Sequence, residues 1–254
     1  MRITTLGCSS SITGELRTTC YRVDDDILID VGTGAGDLTL AQSIAIETVF
    51  LTHAHLDHCA LLPMLSDAAG SFRNVPLTVY ALPQTITLLM EHMFNGGLWP
   101  DYTALPTPEN PYIRFRPIQT GETVALGGRR ITALPARHAI PCVGYCIDCG
   151  TASLVYSADT TYCAEFWQAL NRIDNLKYLL IENTFRNANA AGAQRSGHTT
   201  ASLLAQGLSQ LDRPAELFIV HMEAGYEQET MLEVLLAAAQ FKPQMLQRGH
   251  VFEL

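Results

Sequence analysis

Three imidazoles and a carboxylate crowd into one short run, Thr52-His53-Ala54-His55-Leu56-Asp57-His58. Packing alone does not account for it, because His and Asp are costly to bury unless they pair or coordinate. Metal ligation does: neutral imidazole nitrogen and carboxylate oxygen are donors that zinc, manganese and iron accept, and the short spacing lets them diverge toward two adjacent ions. Each histidine taken singly has a plain reading as a satisfied core or surface residue. The cluster reverses that reading. Three more residues of the same chemistry follow strand-like runs: His138 after a strand ending at Pro135, Asp159 after Leu154 to Ser157, and His221 after Leu217 to Val220. Strand ends are where ligands converge.

These residues need a scaffold of alternating strands and helices, and the hydrophobic periodicity supplies one. Strands are expected near Ile3, at Cys20 to Val23, Ile27 to Ile29, Val49 to Leu51, Leu77 to Tyr80, Ile131 to Pro135, Val143 to Ile147, Leu154 to Ser157, Tyr178 to Ile181 and Leu217 to Val220. Helices are expected over Leu38 to Ala45, Ala60 to Ala69, Pro83 to Phe94, Ala164 to Asn171, Thr200 to Gln210 and Gln228 to Ala239. Strands in the middle with helices to either side predict an α/β fold of two packed sheets covered by outer helices. The proline-rich stretch from Pro100 to Pro117 reads as a long surface connection. No internal repeat or low-complexity tract is visible.

With 254 residues, 48% of them apolar and 16% charged, the chain is expected to fold as one domain spanning 1–254. A net charge of -9 disfavours a protein whose affinity comes from neutralising many phosphates. A small-molecule substrate is expected instead of a nucleic acid. Neither a secretory leader nor a membrane span is legible, so a cytoplasmic protein is expected. The cysteines at 8, 20, 59, 142, 146, 149 and 163 suit reduced thiols. A zinc knot at Cys142, Cys146 and Cys149 lacks a fourth ligand at suitable spacing. A dinucleotide-binding reading of Gly32, Gly34 and Gly36 fails because Asp37 stands where the third glycine should fall.

His53-Ala54-His55-Leu56-Asp57-His58, then His138, Ser157-Ala158-Asp159-Thr160 and Val220-His221 resemble the metallo-β-lactamase superfamily over nearly the whole chain. Asp30-Val31-Gly32-Thr33-Gly34 is similar to that family's early Asp-x-Gly turn. The resemblance implies a four-layer αββα sandwich of two mixed β-sheets flanked by helices. It further implies two divalent ions, zinc before manganese or iron. His53, His55 and His138 would hold one, Asp57, His58 and His221 the other, with Asp159 bridging and a hydroxide between the ions. Flavin-partnered diiron members usually carry a glutamate where His55 stands, so oxygen reduction is disfavoured.

Two longer segments narrow the substrate. Leu82 to Ile86 with Glu91 to Pro100, including the Phe94-Asn95 and Trp99-Pro100 pairs, is similar to class II cyclic-nucleotide phosphodiesterases, as is His221-Met222-Glu223-Ala224-Gly225-Tyr226. Ile181-Glu182-Asn183-Thr184-Phe185 with Gly197-His198-Thr199 resembles a motif those enzymes share with tRNA 3′-end endonucleases. By that analogy His198 is a general acid oriented by Glu182, although His198 also reads as a helix-entry residue and Glu182 as a surface charge; the metal ligand Asp57 is a further catalytic candidate. Phe94, Asn95, Trp99 and Tyr102 are candidate substrate contacts, although an aromatic stripe is more often core. The leading expectation is hydrolysis of a 3′,5′-cyclic nucleotide such as cyclic AMP to the 5′-monophosphate. The alternatives are a tRNA 3′-end endonuclease, thioesterase or lactamase on the same metals, and a non-catalytic binding protein, which the complete ligand set disfavours. A basic tRNA-gripping arm is not visible, and homodimerisation is expected only by analogy.

Overall fold

The computed structural model describes residues 1–254 and divides into two compact units. The first comprises Met1–Cys8, Arg17–Ile118 and Arg248–Glu253; the second comprises Ser9–Leu16, Gln119–Gln247 and Leu254. Each contains one mixed seven-stranded sheet. Two mixed sheets accompanied by helices are what the sequence predicts. No helix is long and apolar enough to cross a membrane.

In the first unit the strands are β1 (Arg2–Gly7), β2 (Cys20–Val23), β3 (Ile27–Ile29), β4 (Thr48–Phe50), β5 (Leu77–Ala81) and β6 (Ile113–Pro117), with the last strand of the chain, Val251–Glu253, beside β1. β1, β2 and β3 are antiparallel, and β3 through β6 are parallel. β3 and β4 are buried at every position, the pattern of parallel strands covered on both faces. Four helices accompany them: α1 (Leu40–Ala45), α2 (Leu56–Cys59), α3 (Leu62–Gly70) and α4 (Pro83–His92). Thr39 and Gln42 form a capping box that starts α1 two residues later than expected. The core joins Leu28, Val49 and Val79 of the sheet to Leu62, Leu65 and Leu89 of the helices.

The Pro100 to Pro117 stretch is not a connection throughout. Its last five residues form β6, paired in parallel with β5 from Leu77↔Ile113 to Ala81↔Pro117. β6 lies at the sheet edge, where a proline leaves no ladder partner unsatisfied. The helix expected from Ala60 starts at Leu62 instead, with Pro63 in its first turn.

The second unit carries β7 (Thr123–Leu126), β8 (Arg129–Pro135), β9 (Val143–Asp148), β10 (Ser153–Tyr156), β11 (Leu176–Glu182), β12 (Glu216–Val220) and β13 (Gln244–Met245), adjacent in that order. Helices α5 (Ala164–Leu170), α6 (Ala190–Ser196), α7 (Ala201–Leu208) and α8 (Glu227–Ala238) belong with it. Phe166, Trp167, Leu204 and Val234 pack with Val155, Leu179 and Ile219 of the sheet in one core. β9 is antiparallel to both β8 and β10, while β10, β11 and β12 are parallel. Thus β8, β10, β11 and β12 all end on the same side of the sheet. That geometry gathers the residues that follow them.

Candidate metal and acid site

In the first unit, β4 delivers the chain into the histidine run, and the short α2 carries Asp57 and a buried His58 before it ends at Cys59. The buried Asp30 organises this segment. Its carboxylate accepts from the Thr52 backbone N–H at 2.8 Å, from Thr52 Oγ1 at 2.9 Å, and from His58 Nδ1 at 2.7 Å. Burial pushes the Asp30 carboxyl above its ordinary value, opposed by the His58 ring and the Thr52 donors. Thr52 gives its hydroxyl hydrogen to Asp30, so at 3.0 Å from His53 Nδ1 its oxygen acts as acceptor. His53 and His58 therefore both carry a proton on Nδ1, which makes Nε2 the atom each ring would offer to an ion when neutral. His53 Nε2 stands 3.1 Å from His55 Nδ1, and His58 Nε2 stands 3.5 Å from Asp57 Oδ2.

Gly32 makes the turn after Asp30 fit. A β-carbon there would lie 2.1 Å from the Asp57 carbonyl oxygen and 2.7 Å from that of Thr19, so any side chain would displace the backbone that carries Asp57. Asp30 itself has φ +58, an uncommon left-handed conformation for a non-glycine residue.

In the second unit the same tautomer logic applies. His138 Nδ1 lies 3.1 Å from the Gly197 carbonyl, which can only accept, so the ring proton is on Nδ1. Thr184 Oγ1 donates to Glu182 Oε2 at 3.0 Å and therefore accepts from His221 Nδ1 at 3.0 Å. The Nε2 atoms of His138 and His221 are left facing Asp159, at 3.8 Å from Oδ2 and 3.4 Å from Oδ1. Ala158, at φ +55, and His221, at φ +60, share the left-handed geometry of Asp30. Such conformations cost about 1–3 kcal/mol each and persist where the surroundings over-determine them, as at functional sites.

Glu182 is wholly buried at the end of β11. The sequence left a surface charge open for it; the structure instead surrounds it with donors. Its carboxylate accepts from the backbone N–H groups of Thr160 at 3.1 Å, Thr184 at 2.9 Å and Thr199 at 3.2 Å, and from His198 Nδ1 at 2.9 Å. The His198 ring lies 4.8 Å from that of His138 and stacks 5.5 Å from that of His221. Gly197 sets this up: at φ +73 it ends α6, and its carbonyl holds His138 while the next residue is His198.

Ligand-type side chains stand in both units: His53, His55, Asp57 and His58 in the first, and His138, Asp159 and His221 in the second. This His/Asp set is consistent with a dinuclear metal site, and the donor chemistry fits: the imidazoles held through Nδ1 would each offer Nε2 to an ion, with carboxylate oxygens completing the set.

The candidate substrate contacts are placed differently. Phe94 and Tyr102 belong to the core of the first unit, the Tyr102 hydroxyl donating to Asp67 Oδ1. Phe94 is 1% exposed and Tyr102 6%, so neither ring offers a face to a substrate. Trp99 packs half-buried against the same core, and Asn95 shapes its own loop by accepting from the N–H groups of Gly97 and Leu98, both at 2.9 Å. The supporting threonines Thr52, Thr160 and Thr184 were not singled out in the sequence. Their one signal is adjacency to a ligand or to Glu182 within strand-end motifs.

The profile described as "Beta-lactamase superfamily domain" matches residues 26–222. Ribonuclease Z of Bradyrhizobium diazoefficiens is 26% identical over 272 aligned positions, covering 85% of each chain. Ribonuclease BN of Escherichia coli is 31% identical over 126 positions, which are 48% of this chain and only 38% of that protein's length. Among solved structures, unliganded yeast PDE1 matches with a TM-score of 0.83 at 18% identity, covering 100% of this chain and 99% of its own.

Proposed function

From the premise that this chain belongs to the β-lactamase superfamily domain family, as a hydrolase of the metallo-β-lactamase fold, we propose that it is a two-metal phosphodiesterase acting on a 3′,5′-cyclic nucleotide such as cyclic AMP. His53, His55, His138 and Asp159 would hold one divalent ion and Asp57, His58, His221 and Asp159 the other, with zinc the first choice for this nitrogen-rich set. Bound there, the ions supply Lewis acidity and lower the pKa of water.

The observation that carries the reading is His198. Its ring lies against one histidine of each ligand group, and its Nδ1 is held by a buried carboxylate at 2.9 Å. A site that only stored metal would have no use for a tethered proton donor. A thiolate leaves without help, whereas an alkoxide does not, which favours phosphodiester over thioester chemistry. With Nδ1–H kept on Glu182, the imidazolium gives its Nε2 proton to the departing ribose O3′ and ends neutral. Thr184, Thr160 and Thr199 hold Glu182 in place as this occurs.

A second reading, a tRNA 3′-end endonuclease, is favoured by the similarity to Ribonuclease Z along most of the chain. The excess of 25 acidic over 16 basic residues speaks against it. The test is a substrate panel of cyclic AMP, cyclic GMP, bis-p-nitrophenyl phosphate, precursor tRNA, thioesters and lactams on protein of measured metal content. Cyclic nucleotide turnover that a chelator abolishes is expected. Turnover of precursor tRNA alone would transfer the assignment to the second reading, and turnover of a thioester or lactam alone would end the phosphodiesterase reading.

A further inference from the structure

Phe94 and Tyr102 are core residues, so the nucleobase needs another wall, and the surroundings of His198 offer one. This inference rests on the phosphodiesterase reading. If His198 protonates the departing ribose oxygen, the nucleoside lies on the His198 side of the reacting phosphorus, against whatever flanks that ring. The flank is Phe185, whose ring meets the His198 ring edge-on at 5.7 Å. Next in the chain is Arg186, whose guanidinium carbon sits 3.5 Å from the centre of the Tyr226 ring. We propose that Phe185, Arg186 and Tyr226 form the platform on which the base of the substrate stacks.

Three observations support it. The stack is accessible: Tyr226 is 39% exposed, and Phe185 and Arg186 are half-buried. The platform is also rigid before anything binds. Phe185 N–H donates to the Thr199 carbonyl at 3.2 Å, Asn187 N–H donates to Glu233 Oε2 at 2.7 Å, and Glu223 N–H joins the Tyr226 loop to the Thr184 carbonyl at 3.1 Å. A planar group held in advance loses little freedom when a base lands on it. Third, the Arg186 guanidinium and the Tyr226 ring already lie face to face, with 3.5 Å between the guanidinium carbon and the ring centre, so two planar groups of the kind that stack on bases are presented together. Guanidinium planes and tyrosine rings both stack on nucleobases, and neither selects strongly among them. The platform therefore recognises a nucleoside as a class.

The test is equilibrium binding of adenosine 5′-monophosphate and of ribose 5-phosphate to the metal-loaded protein and its variants, followed by turnover of cyclic AMP. The base should tighten binding at least about tenfold in the unaltered protein. Tyr226→Ala and Arg186→Lys should each remove most of that difference, leaving ribose 5-phosphate affinity, metal content and melting temperature unchanged. Tyr226→Phe keeps the ring and should keep the difference. In turnover the loss should appear in KM for cyclic AMP more than in kcat. The proposal is overturned if the unaltered protein binds the two ligands equally, or if the variants weaken both alike. Base-dependent binding in a protein that turns over no cyclic nucleotide would sink the phosphodiesterase reading while leaving the platform standing.

Discussion

A histidine that protonates a leaving group differs measurably from one that fills space, because its removal is felt in proportion to the basicity of the departing oxygen. His198→Ala should lower kcat on cyclic AMP by about 10²- to 10⁴-fold. On bis-p-nitrophenyl phosphate, whose phenolate leaves unaided, the loss should stay under about tenfold. Metal content should not change. Equal losses on both substrates would remove His198 from the chemistry. A second prediction concerns thiols. Burial pushes Cys8, Cys59 and Cys146 up to about 12 and raises Cys20 and Cys163. Cys149 is half-exposed, and the Thr151 hydroxyl 3.2 Å from its Sγ, aided by backbone groups, holds its pKa below the ordinary thiol value. The thiolate is the reactive form, so a lowered pKa enlarges its fraction at any pH beneath it. A disulfide reagent near neutral pH should titrate one fast thiol, with a rate that levels off at lower pH than for a free cysteine. Cys149→Ser should abolish that phase; a fast phase that survives would contradict the assignment.

Gly197 shows how much of the site depends on one turn. Its φ of +73 is left-handed, and a β-carbon there would lie 2.7 Å from the Ala139 nitrogen and 3.0 Å from the His138 Cα. The obstacle is backbone and cannot swing away. Gly197→Ala should therefore cost at least about 1–2 kcal/mol from the conformation alone. It should also disturb His138 and His198 together, read as weaker binding of the metal and a fall in turnover alongside a lower melting temperature. An unaltered metal affinity would show that the turn does not position His138. In the sequence Gly197 stands in the Gly197-His198-Thr199 motif, but its hold on His138 is not legible there, because that neighbour lies 59 residues away. The main elements were legible because their periodicity is local: β8 to β12 and α4, α5, α7 and α8 fall within a few residues of expectation. Parts of the site were legible for a different reason, since ligands at strand ends leave an unusual composition. What escaped is set by pairing. β6 hides behind Pro117, which an edge strand tolerates; β7 buries no position fully, and β13 is only two residues long. Phe94 was drawn toward the substrate by its place in the resembling segment and Tyr102 by its aromatic ring, yet both belong to the core that the first unit's sheet and helices enclose.

At the scale of the whole molecule, charge separates the two phosphodiester substrates that local geometry leaves close. The chain carries 16 basic and 25 acidic residues, a net charge of -9. A transfer RNA is held largely by neutralising its phosphates and releasing their counterions, which makes its binding steeply dependent on salt. With about six to ten phosphate contacts, affinity falls about 10³- to 10⁵-fold between roughly 50 and 200 mM salt. A cyclic nucleotide presents a single charge, and a platform of stacked planes beside a compact metal-ligand cluster is nearly insensitive to ionic strength. For this protein kcat/KM on cyclic AMP should change by less than about threefold over that range, and a precursor tRNA should not compete at roughly 150 mM salt. The measurement is a set of initial rates at several salt concentrations, with and without the tRNA. A steep salt dependence, or inhibition by tRNA that salt relieves, would mean that the acidic surface conceals a basic track and that the polynucleotide is the better substrate. A flat response would fit recognition by short-range contacts alone, as the proposed stacking of the base on Arg186 and Tyr226 requires.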